Sequence, residues 1–481
     1  MINKNFKMYA LDENILKSID LLGFTAPTKV QAEVIPLLLE KQDIIVKSQT
    51  GSGKTAAFAI PLCQMIEWED NKPQALVITP TRELAMQVKE DFFHIGRFKR
   101  IKVVAVFGKS PYHIQQKELK QKTHAVVGTP GRIIDHLDRG TLDLSAVKYL
   151  VIDEADEMLR MGFVEQVESI IKCMPKNRVT VVLSATMPED IRKLCERYMV
   201  EPTMVDIEEQ EKAADRIIQS RYDVSEGQKM TLLKDLLTVE NPDSSIIFCN
   251  TQLKVDKIYE ELRRESYSCD KIHGGMEQDD RLSVMQDFKL GKFRFLVATD
   301  VAARGIDIDQ ISLVFNYDVP NTCENYVHRI GRTGRIGNSG KAMTFVSPAE
   351  QAMMDDIHDY LGKEIPLCEK PNHALIQSSE EAFMEKRDEA PEIKTHKSAK
   401  LNEGIMKIHI NAGKKTKMRA VDIVGTICSI EGVDATDIGI INIMDISTYV
   451  EILGGKGELV YEALQNRPIK GRMRRVSKAV K

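Results

Sequence analysis

Two parallel-sheet α/β units in tandem, followed by a small basic α+β domain, form the architecture that this sequence predicts. Three observations lead there. Short β-branched runs alternate with amphipathic helical stretches over most of the chain, and the runs are nearly all apolar, as strands covered by helices on both faces must be. A polar, charge-rich segment at 369–403 has few large apolar side chains to hold a core and reads as a flexible linker. Beyond it the charge balance reverses. At 481 residues the chain is long enough for about three domains.

Taken in order, the first unit's strands are expected at 43–47, 75–79, 103–107, 125–128, 149–152 and 180–183, and the second unit's at 245–249, 295–298, 313–316 and 342–346. The break between them falls near 208–215, which gives units at 1–207 and 208–368. The remaining body, 404–481, reads strand, helix, strand, strand, helix, strand at 406–411, 420–430, 438–444, 449–452, 457–465 and 473–478.

Composition excludes several classes. With 43% hydrophobic and 29% charged residues the chain is neither fibrous nor wholly disordered. Apolar runs such as 75–78 fall far short of the roughly 18 residues that cross a bilayer. The opening residues hold no apolar export segment, so a cytoplasmic protein is expected. Eight cysteines are scattered without a CxxC pair, which argues against zinc ligation and a disulfide framework. The net charge of −4 hides an asymmetry: residues 404–481 carry 13 Lys and Arg against 8 Asp and Glu, or +5, leaving −9 for the rest. The stretch 470–481 has six positive charges and no acid, a footprint suited to a phosphate backbone, with a merely solvated tail as the plainer alternative.

The strongest local signal is Ser48, Gln49, Thr50, Gly51, Ser52, Gly53, Lys54 and Thr55, between an expected strand and an expected helix. Glycines let backbone N–H groups close around phosphate oxygens, the helix N-terminus adds its dipole, Lys54 can reach the β- and γ-phosphates, and the Thr55 hydroxyl can ligate Mg²⁺. Ser48 departs mildly from the usual Gly or Ala. A carboxylate from a neighbouring strand end should complete the metal site, and Asp153 and Glu154 emerge where the apolar run 149–152 stops. Asp153 would bind Mg²⁺ and Glu154 orient or deprotonate the attacking water, which favours hydrolysis over transfer to a small-molecule acceptor. An acidic cluster capping a helix is by itself more often structural.

These residues, with Ala155 and Asp156, resemble the DEAD-box RNA helicases of superfamily two, and the resemblance runs in order through most of 6–346. It implies two RecA-like domains and an ATP site between them. Residues 23–31 resemble the family's Q motif, with Phe6 as the upstream aromatic and Phe24 and Gln31 beside the base; the Gln31 amide suits adenine's N6 and N7 edge. Residues 80–85 and 129–132 look like RNA-gripping loops, and Ser184 and Thr186 lie in the element that couples hydrolysis to strand separation. In the second unit 246–251, 278–281, 298–307 and 326–335 are similar to the later motifs. The resemblance implies that Asp307 contacts the nucleotide, that His328 helps couple, and that Arg332 and Arg335 reach the γ-phosphate as arginine fingers.

RNA contacts would be mostly to sugar and phosphate, from Arg82, Gly108, Thr129, Arg132, Arg281 and Thr299. The 2′-OH groups would favour RNA over DNA. Lys109 stands where the family commonly has a second glycine. Closure on ATP and single-stranded RNA would bend the strand and open a short duplex locally, and hydrolysis would reopen the clamp. A core that reads no sequence needs targeting. The last body resembles an RNA-recognition-motif fold, with Lys414, Lys415, Lys417 and Arg419 before its first helix and Arg472, Arg474 and Arg475 near its end as candidate RNA contacts. Tyr449 and His409 sit at its aromatic positions, whereas Ser447 and Ile452 depart from the pattern. The combination is similar to the bacterial DbpA group, whose tail domain recognises a 23S ribosomal RNA hairpin in large-subunit assembly. That resemblance implies an ATP- and Mg²⁺-dependent RNA helicase acting as a monomer on ribosomal RNA; the alternative is an ATP-gated RNA clamp that unwinds little.

Overall fold

The structure is a computed structural model, and it describes residues 5–48, 51–207, 217–300, 311–334, 340–389, 393 and 400–479. Three sheets organise it. The first contains β1 (Ile44–Lys47), β2 (Ala75–Ile78), β3 (Val103–Val106), β4 (Ala125–Gly128), β5 (Tyr149–Ile152), β6 (Val179–Ser184) and β7 (Thr203–Asp206), in the order β3-β4-β2-β5-β6-β1-β7, with every pairing parallel. One core, with Phe58, Val88 and Phe92, covers one face of this sheet, and another, with Ile133, Met158 and Ile170, covers the other. Strands buried on both faces are the apolar runs visible in the sequence.

The second sheet holds β8 (Ile217–Asp223), β9 (Ser245–Cys249), β10 (Cys269–Ile272), β11 (Phe295–Thr299), β12 (Leu313–Asn316) and β13 (Gly340–Val346), again parallel, in the order β10-β11-β9-β12-β13-β8. The expected strands are present with ends shifted by a residue or two. Three strands were not expected, β7, β8 and β10, and all three are edge strands. An edge strand meets water, so polar residues interrupt it, as in Ile217–Asp223, where the burial alternates. The expected break at 208–215 lies outside the described residues.

The expectation of a flexible linker is corrected over its first half. Residues His373–Asp388 form a helix, Asn372 caps it by accepting from the Leu375 N–H at 2.9 Å, and Phe383 is 3% exposed within the core of the second domain. Lys386 anchors the far end on Asn241 O at 3.0 Å. One buried aromatic and a cap suffice to fix a segment that is otherwise polar.

The tail is a four-stranded antiparallel sheet of β14 (Met406–Ile410), β15 (Ile438–Ile443), β16 (Thr448–Ile452) and β17 (Val476–Lys478), ordered β15-β16-β14-β17. Helices Ala420–Cys428 and Gly457–Gln465 cover one face through Ile423, Ile427, Val460 and Leu464.

Candidate functional site

The ends of β1, β5 and β6 converge on the phosphate loop. Ser48 N–H donates to Ser184 O on β6, and the Ser48 and Ser52 hydroxyls meet at 2.8 Å. Gly51 and Gly53 have φ of 81° and 90°, the left-handed region that glycine enters without strain, and a Cβ on Gly53 would stand 2.6 Å from Gln31 Nε2. Helix Lys54–Met65 starts at the loop's end and aims its N-terminus at the space where phosphate would sit. The buried Lys54 ammonium donates to Ser48 O at 3.0 Å, and its charge acts to lower the Asp153 pKa. Gln49 and Thr50, expected to share the loop's work, lie outside the described residues.

Gln31 holds the loop from the side. Its Oε1 accepts from Thr28 N–H at 3.0 Å and its Nε2 donates to Gly53 O at 3.2 Å, so both ends of the amide are used within the protein and the residue is only 5% exposed. Thr28 adds a hydroxyl bond to Ser52 O at 2.9 Å. Gln31 thereby ties the Q motif to the phosphate loop. Phe24 is half-buried, whereas Phe6 is 2% exposed, its ring against Tyr9 and Phe24 in the core. Phe6 thus packs beneath Phe24 of the Q motif.

The acidic strand end is a coupled group. Burial raises the Asp153 pKa, opposed by Lys54. Glu154 is pushed up to about 7 by burial and by the Asp153 charge beside it, with Lys54 and Arg332 pulling the other way. Asp156 accepts from both Thr186 N–H and Thr186 Oγ1 at 3.0 Å, and its own N–H donates to Ser184 Oγ at 3.2 Å. The acidic turn and the Ser184–Thr186 loop are thus hydrogen-bonded to each other. A hydroxyl and one or two carboxylates beside phosphate are the hard oxygen ligands that Mg²⁺ takes, and Thr55 with Asp153 are of the kind that could hold it. Among the described residues there is no group of three or more His, Cys, Asp or Glu side chains that could hold a metal ion.

The second domain faces this group. Arg332 follows helix Cys323–Ile330, donates through Nε to His328 O at 3.1 Å, and lies near enough for its charge to lower the Glu154 pKa. Arg335 and Asp307 lie outside the described residues. Sequence reasoning missed Arg329, which joins three loop ends of domain two: it pairs with both Asp300 oxygens at 2.5 and 2.8 Å and donates to Asn250 Oδ1 and Asp318 O, each at 2.7 Å. It is among the largest fully buried side chains, a signal that sequence does not carry.

The structure brings Arg82, Gly108, Arg132 and Arg281, expected to contact RNA, around one end of the cleft. A Cβ on Gly108 would stand 3.6 Å from the Arg82 guanidinium. Thr129 precedes helix Pro130–Asp138, and Arg132 on that helix donates to Ser110 O and Gln115 Oε1 at 3.0 Å. Two further residues, Glu83 and Gln278, complete a seam across the domains. Arg82 donates to Gln278 Oε1 at 2.9 Å, Gln278 donates to Glu83 Oε1 at 3.1 Å, and Arg281 pairs with Glu83 at 2.9 Å. Arg281 is thus buried and paired, not open to phosphate, and Thr299 is buried at the end of β11. Lys109 is exposed with φ of 57°, which explains why a glycine would be at ease there.

In the tail, Lys414, Lys415, Lys417, Arg419, Arg472 and Arg475 are exposed and Arg474 is half-buried. Lys470 joins the two basic segments by pairing with Asp422 at 3.0 Å and donating to Lys417 O.

Residues 28–194 match the DEAD/DEAH box helicase family, 228–337 the helicase conserved C-terminal domain, and 407–478 the DbpA RNA binding domain. The chain is 55% identical over 477 residues to the ATP-dependent RNA helicase DbpA of Bacillus subtilis, covering 99% of this chain and 100% of that protein. It is 46% identical over 352 residues to the DEAD-box ATP-dependent RNA helicase CshA of Geobacillus kaustophilus, covering 73% and 75% of the two. Saccharomyces cerevisiae Dbp5 bound to RNA and ADP BeF3 is similar in structure, with a TM-score of 0.70 at 31% identity over 80% of this chain and 100% of that one. A nucleotide loop and acidic turn facing an arginine across a cleft, with a matching tail, accord with these relatives: the chain belongs to the DEAD-box ATP-dependent RNA helicases, in the branch that carries a DbpA RNA-binding domain.

Proposed function

We propose that this RNA helicase opens short duplexes locally, with one ATP bound between its two α/β domains, and that its tail directs it to 23S ribosomal RNA during assembly of the large subunit. The observation that carries the first half is the reach of Arg332 from domain two to the neighbourhood of Glu154 on domain one. Arg332 and Arg335 would neutralise the negative charge that spreads over the transferring phosphoryl group, so turnover depends on closure. Glu154 would take the proton of the attacking water, while Lys54 holds the phosphates in place. Thr55 and Asp153 would hold Mg²⁺, which when bound neutralises charge on the β- and γ-phosphates.

The targeting half is supported by the two exposed basic segments of the tail and by the B. subtilis DbpA relative. A monomer acting in the cytoplasm is part of the same proposal. ATPase measured side by side with 23S fragments and unrelated RNAs tests the reading. A fragment bearing the recognised hairpin should stimulate at concentrations at least tenfold lower, and deletion from residue 404 should abolish that preference while generic stimulation persists; equal stimulation by all RNAs would reject targeting. Lys54→Ala should remove turnover and leave hairpin binding intact.

The seam of Arg82, Glu83, Gln278 and Arg281 favours a second reading, an RNA clamp that closes readily and unwinds little. A short duplex joined to the hairpin separates the two readings: strands released with ATP support the helicase, and strands retained support the clamp.

A further inference from the structure

In domain one the loops that face nucleotide and RNA follow the C-terminal ends of the strands. The turn at 96–102, between helix Arg82–Ile95 and β3, lies at the other end, about 13 Å away for a four-residue strand. The tail is seated on this turn. Arg97 Nη1 pairs with Glu451 Oε2 at 2.9 Å, the two side chains being only 5% and 14% exposed, and they are 354 residues apart in the chain. Arg97 Nη2 donates to Asn402 Oδ1 at 3.3 Å, and Arg100 Nη2 donates to Ala435 O at 2.5 Å. Leu401 is buried where the turn Lys400–Asn402 meets helix Glu13–Leu21.

Glu451 belongs to the outer face of the tail sheet. Its neighbours Val450 and Ile452 point into the tail's core, which leaves Tyr449 and Glu451 outward. Ile440, on the adjacent strand, is 7% exposed although it stands outside that core. An RNA-recognition fold uses this face to stack bases, and a carboxylate there repels the backbone. In the docked arrangement each charge meets its opposite away from water, and Glu451 Oε2 also accepts from Ile440 N–H at 3.3 Å within the tail.

We propose that the outer face of the tail sheet is a docking surface for the first domain of the same chain, fastened by the Arg97–Glu451 ion pair, so that RNA held by the tail's basic segments is delivered along the β3 edge of the core. Lys414 of those segments is a charged neighbour of Lys102, at the start of β3, and Gly108 and Lys109 follow the end of that strand. The docking claim is independent of the targeting reading; the delivery claim rests on it.

Docking is tested without RNA in the full chain, by energy transfer between a dye on the exposed Cys173 of domain one and one on the tail, using Glu462→Cys with Cys428→Ser. Glu451→Arg and Arg97→Glu should each lower the transfer, and the two together should restore it, a rescue that loss of folding cannot mimic. Unchanged transfer in the single variants, or no restoration in the double, overturns docking. Turnover with saturating unstructured RNA should stay within about twofold in all three, since the pair lies far from the cleft. For delivery, the hairpin RNA concentration giving half-maximal ATPase should rise about tenfold in Glu451→Arg, the effective concentration of a held domain being lost, while hairpin affinity is kept. Lost transfer with unchanged half-saturation overturns delivery.

Discussion

Glu154 holds a φ of 52°, left-handed for a residue with a side chain, at the start of helix Ala155–Arg160. Such strain persists where the surroundings impose it, and here the acidic turn is pinned by Asp156 to the Ser184–Thr186 loop. A base is active when deprotonated, so with a pKa of about 7 the free enzyme's kcat/KM for ATP should fall as pH drops through 7. Glu154→Gln should remove turnover by a factor of at least 10² to 10⁴ and leave no such limb in the residual rate. A carboxyl whose pKa is raised on folding destabilises the fold above that pKa, so the same substitution should raise Tm more at pH 8 than at pH 5. Lys109 poses a simpler test. Lys109→Gly relieves a left-handed side chain while loosening the unfolded chain, so Tm should move little, and the salt dependence of RNA binding should weaken by about one charge if Lys109 meets phosphate. At this scale Lys54, Asp153 and Glu154 were legible because their motifs are contiguous. The double engagement of Gln31 and the burial of Phe6 were not, since both depend on neighbours brought together by the fold.

At the scale of elements, interior strands are apolar on both faces and stand out in the sequence, as 149–152 does, whereas β7, β8 and β10 carry polar residues because one side meets water. The helix His373–Asp388 was hidden for a related reason: it presents one large apolar side chain, Phe383, to the core, too little for a periodic pattern. Phe383→Ala should therefore destabilise domain two by about 3 kcal/mol, read as a shift in its urea midpoint, while nucleotide binding to domain one is unaffected. The tail's order of strands and helices was legible from its alternating pattern, but nothing local marks Glu451 as an interdomain partner.

Over the whole molecule, the seam built by Glu83 decides how the core rests. Its carboxylate pairs with Arg281 and accepts from Gln278, both from the opposite domain. Glu83→Gln should release the Arg281 guanidinium and strengthen nucleotide-free RNA binding several-fold, while shrinking the further gain on adding ATP analogue, as filter binding with and without analogue would show. The sequence separation across that seam, near two hundred residues, is what kept it out of reach of pattern reading. On the proposed RNA path, an arriving strand would meet cations that already have company and would have to displace an internal acid to be held. Such an exchange would raise the barrier to entry for short or weakly charged visitors, so the resting molecule would filter its callers before spending any ATP on them.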